Sequence, residues 1–313
     1  MTASSLPYLD ASAIEATLPW SDAVDCLEQA LLRGFDPACS AARSVIDVAH
    51  GQLLLMPAEL ADHVGVKIGT VAPGNPAMGL PRIQALYAVI DSATLTPVAL
   101  MDGTALTTLR TPAMSAVAAR HIAPVDARHL VVFGAGPQAW GHVHAMRAVR
   151  PIERVTVIGR RPDTAAALVR RLYDVGISAE VGTVDSLPDG DIVVCATTAG
   201  VPLFDSSLMK DNVCAIAVGS HDSDRRELDS NVFRRARTGV GVVVETRHVA
   251  LQEAGDVAMA VAEHAIQAED LIEIATLVRR PPSDPSGTGI YKSVGMGWQD
   301  LVVAQAIMRR SRV

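Results

Sequence analysis

The chain predicts an α/β fold in which a doubly wound parallel sheet accompanies a mixed, largely antiparallel α+β domain. Three observations carry that prediction. Between residues 130 and 244, short apolar runs alternate with helix-spaced segments, the signature of parallel strands joined by crossover helices. Residues 44 to 101 instead carry strand texture broken by Gly and Pro, which describes a meander. Hydrophobic residues make up 49% of the 313-residue chain and aromatics only 4%, so the core is expected to be Ala-rich helices on Val-rich strands. A chain this long exceeds what one core usually holds, and two domains are expected.

The elements follow in order. Ala23, Cys26, Leu27, Ala30 and Leu31 recur at helix spacing, which predicts an amphipathic helix over 22–34 with Ser21 as N-cap and Gly34 as its stop. Strands are expected at 44–48, 52–56, 64–71, 83–91 and 97–101, followed by a helix that starts near Thr104 or Thr111 and runs to His121. The alternating region predicts strands at 130–133, 154–158, 192–196, 213–218 and 240–244. Helices are expected at 137–147 and at 163–173, the second capped by Asp163. A Pro-, Ser- and Gly-rich linker, 281–289, precedes a closing helix at 297–308.

Composition narrows the function classes. Net charge is −7 and the Lys and Arg residues are scattered, so nucleic acid is not an expected partner. No run of about 18 apolar residues occurs, and the start Met1-Thr2-Ala3-Ser4-Ser5-Leu6 has no basic or apolar leader pattern; a cytoplasmic protein without membrane partners is expected. Cys26, Cys39, Cys195 and Cys214 lack C-x-x-C spacing and are expected to be buried thiols. His142 and His144 lie two apart on a helix and point in different directions, so no metal is expected.

The apolar strand Leu130-Val131-Val132-Phe133 runs into Gly134-Ala135-Gly136-Pro137-Gln138-Ala139 and then a helix. This places G-x-G-x-x-A in the strand-turn-helix context that a dinucleotide-binding Rossmann unit requires. Gly134 allows the tight turn, Gly136 leaves room for a pyrophosphate against backbone N–H groups, and Ala139 permits close helix packing. The next strand ends in Gly159-Arg160-Arg161, with no carboxylate for a ribose hydroxyl. Two guanidiniums there suit a 2′-phosphate, so NADPH is the expected cofactor, with NADH possible.

In Val64-Gly65-Val66-Lys67-Ile68-Gly69, alternation puts Lys67 on the face opposite Val64, Val66 and Ile68; a lysine there is read either as solvated or as a site residue. Arg43 opens the first meander strand. Arg110 precedes Thr111-Pro112 and sits either beside a helix N-terminus, where a carboxylate is welcome, or on the face of a longer helix bent at Pro112.

These residues resemble the ornithine cyclodeaminase/μ-crystallin family. The resemblance rests on Gly51-Gln52-Leu53-Leu54-Leu55-Met56-Pro57, Val66-Lys67, Asp102-Gly103-Thr104-Ala105-Leu106-Thr107-Thr108-Leu109-Arg110-Thr111, the glycine turn, Arg226-Glu227-Leu228-Asp229, Glu253-Ala254-Gly255-Asp256 and Lys292-Ser293-Val294-Gly295. It implies a homodimer, with the terminal portions, 1–120 with 296–313, as substrate-binding and dimerisation domain and the middle, 121–295, as Rossmann dinucleotide-binding domain. It also implies that Arg43, Lys67 and Arg110 hold the carboxylate of a small amino or imino acid, and that Thr197, Val218, Gly219 and Ser293 lie along the cofactor. Two departures bear on function. Cyclodeaminases carry Glu where this chain has Leu54 and Asp where it has His221, although Asp222 stands next to His221.

The expected activity is therefore NADPH-dependent reduction of a cyclic ketimine carboxylate, Δ1-pyrroline-2-carboxylate or Δ1-piperideine-2-carboxylate. The imine nitrogen would enter already protonated, or Lys67, a bound water or, less favoured, His221 would supply its proton. The alternatives are alanine dehydrogenase-like reductive amination of a 2-oxo acid, ornithine or lysine cyclodeamination, and non-catalytic NADPH-dependent ligand binding.

Overall fold

The computed structural model describes residues 6–311, so the leader reading of residues 1–5 falls outside the described residues. The chain divides into two compact units, Met1–Thr111 with Gly295–Val313, and Pro112–Val294.

The first unit opens with β1 (Tyr8–Leu9), α1 (Ala11–Thr17) and α2 (Trp20–Leu32). Helix α2 begins one residue after Pro19, whose fixed φ sets the entry, so Ser21 lies inside the first turn and is not the cap. The meander follows as β2 (Ser44–Val48), β3 (Gly51–Leu60), β4 (His63–Val71), β5 (Ile83–Asp91) and β6 (Pro97–Asp102). These pair antiparallel in sequence, and β1 adds parallel to β6, giving the order β1-β6-β5-β4-β3-β2. Helix α3 (Gly103–Ile122) starts where Asp102 accepts the Thr104 and Ala105 N–H groups at 2.9 Å. It runs through Pro112 as one helix, which settles the alternative left open for Arg110: the residue lies on a helix face. The divide between the units falls within α3, after Thr111.

The second unit is a parallel sheet with crossovers. Its elements are β7 (His129–Phe133), α4 (Pro137–Val149), β8 (Arg154–Ile158), α5 (Pro162–Asp174), β9 (Ala179–Val181), β10 (Ile192–Cys195), β11 (Cys214–Ala217), α6 (Ser230–Arg237), β12 (Gly241–Val244), α7 (Arg247–Glu253), α8 (Gly255–Ala262), β13 (Leu271–Glu273), α9 (Ile274–Arg279) and β14 (Gly289–Lys292). The order β13-β12-β14-β11-β10-β7-β8-β9 reverses direction between β7 and β10, the switch point at which such sheets take ligands. Val131, Val193, Ala215, Val242 and Ile290 put one apolar face of this sheet into a continuous core with Phe233 and Val257. Arg161 is the N-cap residue of α5, so Asp163 sits in its first turn and caps nothing. Cys195 and Cys214 are buried in β10 and β11, whereas Cys26 is half-buried and Cys39 is exposed.

The chain returns to the first unit as α10 (Gly297–Ser311), which packs on β3, β4 and α2. Among the described residues no helix is long and apolar enough to cross a membrane.

Candidate functional site

In the first unit, the face of β4 that carries Lys67 is the covered one. Gly65, Lys67 and Gly69 are buried while Val64, Val66 and Ile68 are half-buried, the reverse of a solvated lysine face. The reason is α10, whose first turn brings Asp300 over the strand. Lys67 Nζ donates to Asp300 Oδ2 at 2.8 Å and to Thr107 Oγ1 at 3.3 Å. The Thr107 hydroxyl in turn donates to the Gly103 carbonyl at 2.7 Å, which leaves its lone pairs for the ammonium.

Arg110, also buried, reaches the same carboxylate from α3: its Nε lies 3.3 Å from Asp300 Oδ1, and its Nη1 donates to Gln299 Oε1 at 2.7 Å. Gly295, at φ 79°, lies against this guanidinium, and a Cβ there would collide with it. Arg43 closes the group by donating from Nη2 to the Gly295 carbonyl at 2.8 Å. The three basic residues singled out in the sequence are thus brought together, and Asp300 and Gln299 join them. Asp300 had a sequence signal that the reading missed, a carboxylate set among Trp298, Leu301, Val302 and Val303 in a helix buried on nearly every side.

Two buried cations, Lys67 and Arg110, share one buried carboxylate. A buried charge without its counter-charge is costly, so the cluster favours one more anion. Burial and then the Arg110 charge pull the Lys67 ammonium down from its ordinary range to about 8, while Asp300 holds it up. Leu54 shares this face, since Met56 pairs with Lys67 and Leu54 lies two residues along β3 opposite Gly69. Where cyclodeaminases are expected to hold a carboxylate, this chain presents an apolar side chain.

In the second unit, Gly134 turns at φ 113°, and a Cβ there would strike the Ala196 carbonyl beyond β10. Gly136 is the N-cap residue of α4 and makes no side-chain cap; a Cβ on it would meet only open space. Free N–H groups facing open room at the N-terminus of a thirteen-residue helix are what a pyrophosphate needs, so these residues fit a dinucleotide. Ala135 and Pro137 complete the turn, Gln138 accepts His142 through its carbonyl at 2.7 Å, and Ala139 is buried against the sheet. Arg160 and Arg161 are exposed at the end of β8, with Arg161 Nε 3.7 Å from Asp163.

Thr197 and Val218 with Gly219 lie at the carboxyl ends of β10 and β11, half-buried. Ser293 follows β14 but is buried, and its hydroxyl donates to Glu245 Oε1 at 2.7 Å, so its proton is committed within the protein. His221 is exposed on the loop after β11. Among the described residues, no three His, Cys, Asp or Glu side chains converge as metal ligands would.

Fold and cluster together define a two-unit protein of the dinucleotide-binding α/β class. More particularly, the chain belongs to the ornithine cyclodeaminase/mu-crystallin family, whose model matches residues 8–312. It is 34% identical to a Delta(1)-pyrroline-2-carboxylate reductase of Bacillus cereus over 268 residues, 82% of this chain and 81% of that one. Among solved structures it is similar to the Thermococcus litoralis Delta(1)-pyrroline-2-carboxylate reductase in complex with NADH and L-proline, at TM-score 0.90 and 27% identity over 98% of both chains. It is also similar to an archaeal alanine dehydrogenase dimer with bound NAD, at TM-score 0.89 and 26% identity over 98% of this chain and 96% of that one.

Proposed function

We propose that this protein reduces a small cyclic ketimine carboxylate, Δ1-pyrroline-2-carboxylate or its six-membered homologue, to the cyclic amino acid with a nicotinamide dinucleotide. The observation that carries this is the buried cluster in which, among the described residues, Lys67 and Arg110 share one carboxylate, Asp300, with Arg43 beside them. A substrate carboxylate supplies the missing negative charge, and planar guanidinium donors fix its orientation. Bound dinucleotide supplies the hydride that the C=N carbon accepts. The imine nitrogen takes one proton, and Lys67, brought down to about 8 by burial and the Arg110 charge, is the donor suited to give it. Leu54 on the Lys67 face argues against cyclodeamination, because that chemistry loses one of its expected carboxylates there.

The glycine turn, Thr197, Val218 and Gly219 would hold the cofactor, and the paired Arg160 and Arg161 with no carboxylate at the end of β8 favour its 2′-phosphorylated form. A homodimer is supported by the outer face of the meander. Ile46, Val48 and Leu86 are exposed there, beside half-buried Leu53, Leu55, Val64, Val66 and Ile68, an apolar surface that a second copy of this chain would cover.

Reductive amination of pyruvate is the second reading, favoured by the likeness to alanine dehydrogenase, since the same cluster accepts any 2-oxo or 2-imino carboxylate. Following oxidation of NADPH and NADH with the cyclic imine in one assay and with pyruvate plus ammonia in another tests both. Turnover of the imine with NADPH preferred is expected. Turnover only with pyruvate and ammonia would replace the first reading by the second.

A further inference from the structure

The segments around Glu227, Asp256 and Lys292 take no part in the chemistry above, yet they converge on one buried point. Glu227 is fully buried, and its Oε1 accepts the Thr197 N–H at 2.8 Å and the Thr197 hydroxyl at 2.7 Å. Its Oε2 accepts the Gly219 N–H at 2.7 Å. One carboxylate therefore ties together the loops that leave the carboxyl ends of β10 and β11. Gly219 must be glycine for this, since a Cβ would run into the Thr197 carbonyl and the Glu227 carboxylate.

Glu227 is itself held. The Glu227 and Leu228 N–H groups both donate to Asp256 Oδ1 at 2.8 Å. Asp256 Oδ2 lies 2.8 Å from Lys292 Nζ, and that ammonium also donates to the Ser220 carbonyl at 2.6 Å. Lys292 ends β14, the strand between β11 and β12, so the strut runs from mid-sheet to the loops. Burial raises the Glu227 pKa, opposed by the Lys292 charge and the bonds from Thr197. Three donors aimed at its two oxygens suit the ionised form.

Which part of a ligand meets these loops follows from topology. In a doubly wound sheet the dinucleotide crosses the switch point, here between β7 and β10, with one mononucleotide half over each side. Arg160 and Arg161 lie on the β7, β8, β9 side, which assigns the adenosine half there. The other half falls to β10 and β11. Because Thr197 Oγ1 donates to Glu227 and accepts the Ala199 N–H at 3.1 Å, its orientation is fixed before any ligand arrives.

We propose that Glu227, braced by the Asp256–Lys292 pair, is a positioning residue for the nicotinamide half of the cofactor, acting through Thr197 and Gly219. The inference rests on the reading of the protein as a nicotinamide enzyme. Its test is binding by fluorescence titration of two ligands to wild type, Glu227→Gln and Thr197→Val. One ligand is NADPH or NADH, whichever wild type holds more tightly, and the other is the matching half-ligand 2′,5′-ADP or ADP. Glu227→Gln keeps the volume but sets an NH2 group against backbone donors, so dinucleotide affinity should fall about tenfold, from one lost charge-assisted bond. Half-ligand affinity should stay at the wild-type value, and Thr197→Val should show the same selectivity with a smaller loss. Equal loss of both ligands, or wild-type dinucleotide affinity in both variants, would overturn the proposal. A wild type that binds the dinucleotide but turns over no imine or oxo acid would instead remove the functional reading and leave this one standing.

Discussion

Each unit buries a small set of charges, and the two sets have opposite stoichiometry. In the first, Lys67 and Arg110 face one carboxylate, Asp300. In the second, Lys292 stands with two carboxylates, Asp256 and Glu227. The negative surplus is already satisfied, because four backbone N–H groups, those of Thr197, Gly219, Glu227 and Leu228, donate to those carboxylates. Among the described residues the positive surplus is met by neutral groups instead, since ammonium and guanidinium groups need acceptors and the nearby side-chain oxygens of Thr107 and Gln299 carry no charge. On the proposed function, the complete network is scaffold and the incomplete one receives the substrate's carboxylate.

That contrast can be broken most severely at Arg110. Arg110→Ala removes the proposed guanidinium donor to the substrate carboxylate and with it the one surplus positive charge; on the usual cost of about 3–5 kcal/mol for breaking a buried pair, kcat/KM should fall about 10³-fold. Lys67→Ala should cost about 10²-fold, chiefly in kcat, because a water can still deliver the proton. Wild-type kinetics in either variant would remove that residue from the site.

Smaller effects sharpen the comparison. Burial and then the Arg110 charge bring Lys67 down from its ordinary range to about 8, and the protonated form is the one suited to bind an anion and give a proton. Reductive kcat/KM should therefore be level below pH 8 and fall as pH rises through it. Asp300→Asn removes the charge that holds the ammonium up, so the same limb should move to lower pH. An unmoved pH profile in that variant would deny Asp300 its part. Smallest of all, replacing Arg160 and Arg161 by Ala should raise KM for NADPH about tenfold, the worth of one exposed phosphate contact, and leave KM for NADH unchanged.

How much of this was legible in the sequence depended on how local the cause was. The glycine turn is set by neighbours within one strand-turn-helix, so Gly134 and Gly136 could be read directly, and strand β5 was read at its observed bounds for the same reason. Lys67 was placed on the correct strand, but its burial is decided by Asp300, 233 residues away, and alternation alone does not tell which face a helix will cover. Strand β14 was missed because four residues after a Pro-rich stretch look like loop. Its Lys292 ends a central strand with its charge received by Asp256 and the Ser220 carbonyl, partners far away in sequence. The glutamate and aspartate of the second network were visible as part of a family pattern, whereas four of the donors they receive are backbone N–H groups, which no residue pattern names.

The most direct test of the central claim compares one imine with and without its acid group. Reduction of Δ1-pyrroline-2-carboxylate and of unsubstituted Δ1-pyrroline should be measured on wild type and Arg110→Ala at saturating cofactor. The account predicts that wild type strongly prefers the carboxylate-bearing substrate and that Arg110→Ala loses most of that preference while treating the unsubstituted imine much as wild type does. An Arg110→Ala enzyme that keeps the full preference, or that loses both substrates equally, would contradict the claim that the surplus positive charge of this cluster awaits a carboxylate.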